Sequence, residues 1–177
     1  KNSGGLTDNA IYALTSDGYG NIWIGTYFKG VCMYPRQSFS FGTKFSELKF
    51  ENSNDELLFQ NSVIREICQD EYDNIWMGTE DNGIYKLNNI SKKIYHFTSS
   101  ALPNALSYNN IHGMLSVNDT LWAGTFERGL DLINIKNGKV FQHFDRRLNN
   151  DLISNFIITF CKTKSNEIYI GTGRGLQ

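Results

Sequence analysis

Residues able to do chemistry are few in this chain, and most stand where they cannot meet. His96 and His143 each precede a phenylalanine at nearly matching positions of repeated segments, so they face the same way from separate sheets, and His112 lies elsewhere. A zinc site needs three or four ligands converging on one point, which this spacing does not offer. Asp70, Glu71 and Asp73 fall in a turn but lack the alternating oxygen ligands, the glycine and the final Glu of a calcium loop. No Gly-x-Ser-x-Gly elbow occurs, and no Walker or Gly-x-Gly-x-x-Gly pattern leads into a helix. Catalytic residues, metals and cofactors are therefore not expected. A pair of carboxylates for glycoside cleavage stays open, because such pairs meet only in the fold.

The cysteines point the same way. Cys68 and Cys161 each stand eight residues before a repeated aromatic, in repeated segments separated by another, beyond the reach of a disulfide. With Cys32 they read as small buried hydrophobes.

The elements that would position any site come from a repeat. Asn21-Ile22-Trp23-Ile24-Gly25-Thr26 recurs around Trp76, Trp122 and, with Tyr169 in place of Trp, near the end of the chain. Gly25, Gly78, Gly124 and Gly171 are followed by Gly30, Gly83, Gly129 and Gly175. Ile11, Ile64, Ile111 and Ile157 stand eleven or twelve residues before the aromatic, and Phe50, Phe97 and Phe144 close a copy. The longer first copy is explained by about six extra residues between Pro35 and Lys44, an insertion that a surface turn tolerates. Within a copy, β-branched and aromatic runs alternate with Asn, Asp, Gly and Ser, as in Ile64–Cys68, the run around Trp76, Ile84–Leu87 and Ile94–Phe97. No ten-residue helical stripe appears.

An antiparallel four-stranded meander of about 47 residues has the size of one propeller blade. The expected architecture is all-β, one partial β-propeller domain over residues 1–177 of about three and a half four-stranded antiparallel blades. The blades fall at approximately 5–50, 60–97, 106–144 and 152–177, the last stopping before its third and fourth strands. Trp23, Trp76, Trp122 and Tyr169, at one repeat position, are expected to fill the slots between blades rather than to bind a sugar. Ile168-Tyr169-Ile170 is expected to present an open edge, to be met by further blades of a parent chain or by a second copy in a homodimer.

Recognition should sit where the repeat varies. Between the Gly-Thr pair and the next glycine lie Tyr27-Phe28-Lys29, Glu80-Asp81-Asn82, Phe126-Glu127-Arg128 and Gly173-Arg174. Equivalent loops on one rim thus carry different chemistry. Tyr27, Phe28 and Phe126 are candidates to stack on a sugar or peptide, with Lys29, Arg128 and Arg174 to meet carboxylate or sulfate groups; the alternative is that all six are solvated hairpin residues.

The Asn-x-Ile, aromatic, aliphatic, Gly-Thr-x-x-x-Gly pattern, present in all four copies as itself or as a close variant, resembles the two-component regulator propeller repeat. That resemblance implies the periplasmic sensor part of a hybrid histidine kinase in the inner membrane, commonly one that responds to complex carbohydrates, with kinase and output domains elsewhere. An oligosaccharide ligand follows from it, as does a periplasmic location.

Seventeen basic and eighteen acidic residues give a formal charge of -1, scattered without a basic stripe, so nucleic acid is not an expected partner. No apolar run approaches the roughly 20 residues that span a bilayer. Three function classes remain: a sensor that binds without turnover, a protein-interaction scaffold, and a polysaccharide lyase or hydrolase.

Overall fold

A computed structural model describes residues 6, 8–36, 49–50, 53–149 and 151–177. The inserted stretch of the first copy lies almost wholly outside them. Among the described residues, fifteen strands make four sheets, with two short helices in the connections. The first sheet holds β1 (Ile11–Ser16), β2 (Ile22–Thr26) and β3 (Val31–Tyr34). Residues Lys49–Phe50 form β4, and helix α1 (Ser53–Gln60) leads into the second sheet, β5 (Ile64–Gln69), β6 (Ile75–Thr79), β7 (Ile84–Leu87) and β8 (Lys93–Phe97). The third is β9 (Ile111–Val117), β10 (Thr120–Thr125), β11 (Leu130–Asn134) and β12 (Val140–Phe144). After α2 (Arg146–Asn149), β13 (Ile157–Lys162), β14 (Ile168–Thr172) and β15 (Gly175–Leu176) complete the fourth. Consecutive strands within each sheet pair antiparallel, and the first strands β1, β5, β9 and β13 lie side by side around a common axis. The chain is an arc of a β-propeller.

Three hydrophobic clusters fill the three junctions between sheets. Trp23 joins Ile64 and Ile67 in the first, Trp76 joins Ile111 and Met114 in the second, and Trp122 packs with Ile157 in the third. Each tryptophan therefore faces the next sheet, and each inner-strand isoleucine faces the previous one. The Gly of the Gly-Thr pair makes the fit possible. A Cβ built on Gly25 would lie 2.7 Å from Ile64 Cγ2, and one on Gly78 would lie 2.8 Å from Ile111 Cγ2. Such distances are well inside van der Waals contact, so these positions are reserved for the incoming isoleucine. Lys86 adds a polar tie: its buried Nζ donates to Ile135 O at 2.7 Å across the second junction, over the Trp76 ring, and burial lowers its pKa.

The opposite ends of the sheets are fixed by turns whose residue types have plain roles. Asp70 accepts from Tyr72 N, Asn74 N, Asn74 Nδ2 and Trp76 Nε1, and Asp17 does the same for Tyr19, Asn21 and Trp23. Asp-x-x-x-Asn-x-Trp is thus a closed hydrogen-bond set that ties a turn to the core tryptophan. Asp70, expected to be a turn residue, is one.

Three expectations need correction, and one short element is new. Lys49–Phe50 does not close the first sheet: β4 pairs in parallel with β8, Phe50 against Ile94, satisfying the free outer edge of the second sheet. A helix, α1, stands in the connection between copies; Asp-Glu-Leu-Leu-Phe-Gln is a run of good or adequate helix formers, and its Phe59 packs edge-on to Tyr85 at 5.0 Å. The last copy does have a third strand. Residues 175–177 fold back on β14, with Ile170 N donating to Gln177 O and Gln177 N to Ile170 O, so part of the edge expected to be open is covered. Tyr169, expected in the core with the tryptophans, is 39% exposed, because no sheet among the described residues lies on the face it occupies.

Candidate functional site

A β-bulge recurs at the start of every inner strand. In β1, Ile11 opposes Thr26 and Ala13 opposes Gly25, which leaves Tyr12 as the extra residue. The same shift leaves out Arg65 in β5, His112 in β9 and Ile158 in β13. A bulge re-aims a side chain out of the regular alternation, and here it does so at one rim, four times. The loops with unrepeated chemistry run past the same points. Tyr27 N donates to Ala10 O, Glu80 N to Val63 O, Phe126 N to Asn110 O and Gly173 N to Phe156 O. Thr26, Thr79 and Thr125 shape these loops by donating Oγ1–H to the carbonyls of Gly30, Gly83 and Gly129. Those glycines have φ of +65°, +71° and +80°, a left-handed conformation that Gly adopts at low cost. The repeated residues thus build a frame, and the unrepeated ones project from it.

Side chains from this frame form an unbroken chain of contacts from the first sheet to the fourth. Phe28 stands edge-on to Tyr27 (4.4 Å between centroids), and Tyr27 packs on Tyr12 (5.3 Å). The Arg65 guanidinium lies over the Tyr12 ring at 5.0 Å, pairs with Glu80 Oε2 at 3.6 Å and donates from Nη2 to His112 Nδ1 at 3.2 Å. His112 stacks on Phe126 (5.4 Å) and meets the edge of Phe156 (5.1 Å); Phe126 and Phe156 are 4.8 Å apart. Arginine has no acceptor, so His112 Nδ1 must carry the lone pair. Burial, and then the Arg65 charge, hold its pKa below the usual histidine value. The outer faces of Tyr12, Phe28 and Phe126 are exposed.

Of the six residues singled out from the loops, Tyr27, Phe28 and Phe126 belong to this chain of contacts. Lys29, Arg128 and Arg174 are exposed on the same loops, where their backbone N–H groups donate to Thr26, Thr125 and Thr172 Oγ1. The sequence reading missed Tyr12, Arg65, His112 and Phe156. The available signal was a repeated isoleucine followed each time by a different residue, Tyr, Arg, His and Ile.

The other histidines hold connections in place. His96 Nδ1 meets Asp55 Oδ1 on α1 at 2.9 Å, its Nε2 meets Asn82 O, and its ring stacks on Tyr85. His143 Nδ1 meets the buried Asp131 Oδ1 at 2.7 Å, which raises the His143 pKa. Asp131 Oδ2 also accepts from Ser107 N and Oγ, at the floor of an open cleft of about 350 Å³ beside β12. Here the carboxylate stands between Ser107 and His143, the reverse of the order in which a histidine activates a serine. Among the described residues no group of three or more His, Cys, Asp or Glu could hold a metal ion.

The two component regulator propeller family matches residues 5–28 and 58–81, the Gly-Thr regions of the first two copies. No curated protein sequence matches the chain. Among solved structures, the extracellular domain of BT3049 from B. thetaiotaomicron, assigned to a hybrid two component system, superposes with a TM-score of 0.73 at 20% identity, over 98% of this chain and 25% of that one. The extracellular domain of BT4673 from the same organism, assigned to a one component system, gives 0.68 at 17% identity, over 94% and 23%. A computationally designed protein, Ika4, gives 0.64 at 11% identity, over 100% of this chain and 96% of the designed one. The chain spans about a quarter of the two B. thetaiotaomicron domains. At these identities the superpositions speak for the fold, and the family match speaks for the repeat in the first two copies, over residues 5–28 and 58–81.

Proposed function

We propose that this chain is a set of blades from the extracytoplasmic sensing region of a larger hybrid two-component receptor, and that its rim of bulge side chains reads a ligand without turning it over. The observation that carries the reading is the row Tyr12, Arg65 and His112, which the fold aims to one side and flanks with exposed aromatic faces. Two things support it: the family match and the extracellular domains of similar fold. A periplasmic place, with the parent in the inner membrane, follows from the same reading. So do flanking blades from the parent chain, which would meet the two open faces of the arc.

An oligosaccharide is the ligand this chemistry fits best. Exposed aromatic faces stack on the apolar side of a pyranose, while planar polar groups such as Arg65 and Glu80 meet its hydroxyls. Incubation with a panel of oligosaccharides, followed by thermal shift and product analysis, tests the proposal. A saturable shift without products is expected, and Phe126→Ala should weaken binding by up to about tenfold, the worth of one aromatic contact. Product formation would make the chain a lyase or hydrolase instead, and a panel that shifts nothing would sink the carbohydrate reading.

A further inference from the structure

The rim is not a row of independent side chains. Arg65 touches a residue of each neighbouring sheet and one of its own: Tyr12 on β1, His112 on β9 and Glu80 after β6. Phe28, Tyr27 and Tyr12 form one aromatic group and His112, Phe126 and Phe156 another, and Arg65 is the side chain that touches both. The sheets themselves are joined by hydrophobic clusters that include none of these rim side chains, so the packing that fixes the blades does not by itself fix the rim. A guanidinium is suited to the task, since its planar fork can stack on a ring with its face and bond two partners with its edges.

We propose that Arg65 is the positioning residue of the rim, holding the aromatic groups of the first and third blades as one surface, and that it does so only while His112 presents an unprotonated Nδ1. The proposal rests on the rim being the ligand-reading surface. A proton on Nδ1 would replace an acceptor by a donor and set a cation against the Arg65 cation at a hydrogen-bond distance of 3.2 Å. Arg65 would then turn toward Glu80 and Tyr12, and the link to Phe126 would open. The charged group facing His112 is Arg65 from β5. Glu80, from the β6–β7 loop, stands behind that guanidinium; the β10–β11 loop and the segment before β13 contribute the uncharged rings of Phe126 and Phe156. Nothing negative among these contacts would favour the imidazolium. The lowered pKa of His112 agrees with this arrangement, so the link is intact at neutral pH and opens in acid.

The test is an NMR titration of the histidine, arginine and aromatic side chains of this chain with no saccharide present. At neutral pH His112 should show the Nε2–H tautomer. On acidification the Arg65, Tyr12 and Phe126 signals should move with the midpoint of His112. Arg65→Gln should raise that midpoint and detach Tyr12 from it, while His112→Gln should abolish the shared transition and leave the melting temperature within a few degrees. Static Arg65 and Tyr12 signals through the His112 titration, or a midpoint indifferent to Arg65→Gln, would overturn the proposal. The oligosaccharide panel stands apart: a panel without a hit removes the rim's ligand, while the titration still decides whether the link exists.

Discussion

Ile64, Ile111 and Ile157 are fully buried at the junctions between sheets, whereas Ile11, at the same place in the first sheet, is 40% exposed. Leu14 is 69% exposed, and its counterparts Ile67 and Met114 are buried. At the far end of the arc Tyr169 and Cys161 stand in the open where Trp76 is buried and Cys68 is partly buried. One repeat residue is thus core or surface according to whether another sheet lies against it. Each sheet carries half of a junction on either side, an isoleucine to insert and a glycine to receive one, and burial belongs to the pair of sheets rather than to the residue.

Truncating the isoleucines tests this most severely. Ile111→Ala should cost about 2–5 kcal/mol in chemical denaturation, the range for a buried aliphatic that leaves a cavity, while Ile11→Ala should cost under about 1 kcal/mol. Equal losses would break the distinction between junction and face. The receiving glycines should follow. Gly78→Ala pushes a methyl into Ile111 and should cost about 1–3 kcal/mol through overpacking. Gly171→Ala meets the γ-methyl of Thr159, an exposed residue of its own sheet rather than a buried isoleucine of the next, and should cost less.

Charge gives a third contrast. Glu66 stands two residues from Cys68, which packs into the second junction, and burial raises the Glu66 pKa to about 7. The folded chain therefore holds a proton that the unfolded chain releases at the ordinary carboxyl value of about 4.5. The contribution of Glu66 to stability is most favourable below that value and is lost as pH rises through about 7. Glu66→Gln should stabilise the chain by about 1–3 kcal/mol at pH 8 and by little at pH 4, read from urea midpoints at the two pH values. Thr159, at the same register position on the exposed β13, should accept Glu with little pH dependence.

What could be read from the sequence follows the same division. The Gly-Thr pair, the Asp17 and Asp70 turns and the three tryptophans recur because each makes a contact that every sheet must make, and recurrence exposed them. Tyr169 and Cys161 were misjudged for that very reason: they share repeat positions with the buried Trp76 and the partly buried Cys68, yet the sheet that would cover them is not among the described ones. The bulge was hidden because it inserts a residue without breaking the period, and its side chains differ in type, so the one mark it leaves is an unrepeated residue after each repeated isoleucine. Pairing of β4 with β8 and the fold-back of residues 175–177 depend on which edge is free, a property of the assembled sheets. Arg65 drew no notice because its partners, Tyr12, Glu80 and His112, come from three sheets.

The smallest expected effect on stability comes from the cysteines, and they make the sharpest probe of the outer face. Cys68 opposes Trp76 and Cys161 opposes Tyr169, so the two thiols occupy one slot in different surroundings. Burial, then the charges of Glu66 and Asp70, push the Cys68 thiol up, away from the reactive thiolate, while Cys161 is exposed. Cys161→Ser should change stability by less than about 0.5 kcal/mol, as befits a surface site. A thiol reagent at pH 8 should modify Cys161 in the folded chain and reach Cys68 only on unfolding, with mass spectrometry reporting the order. Protection of Cys161 in the folded chain would mean that something covers β13 in solution, and the last sheet would then be half of a junction already made.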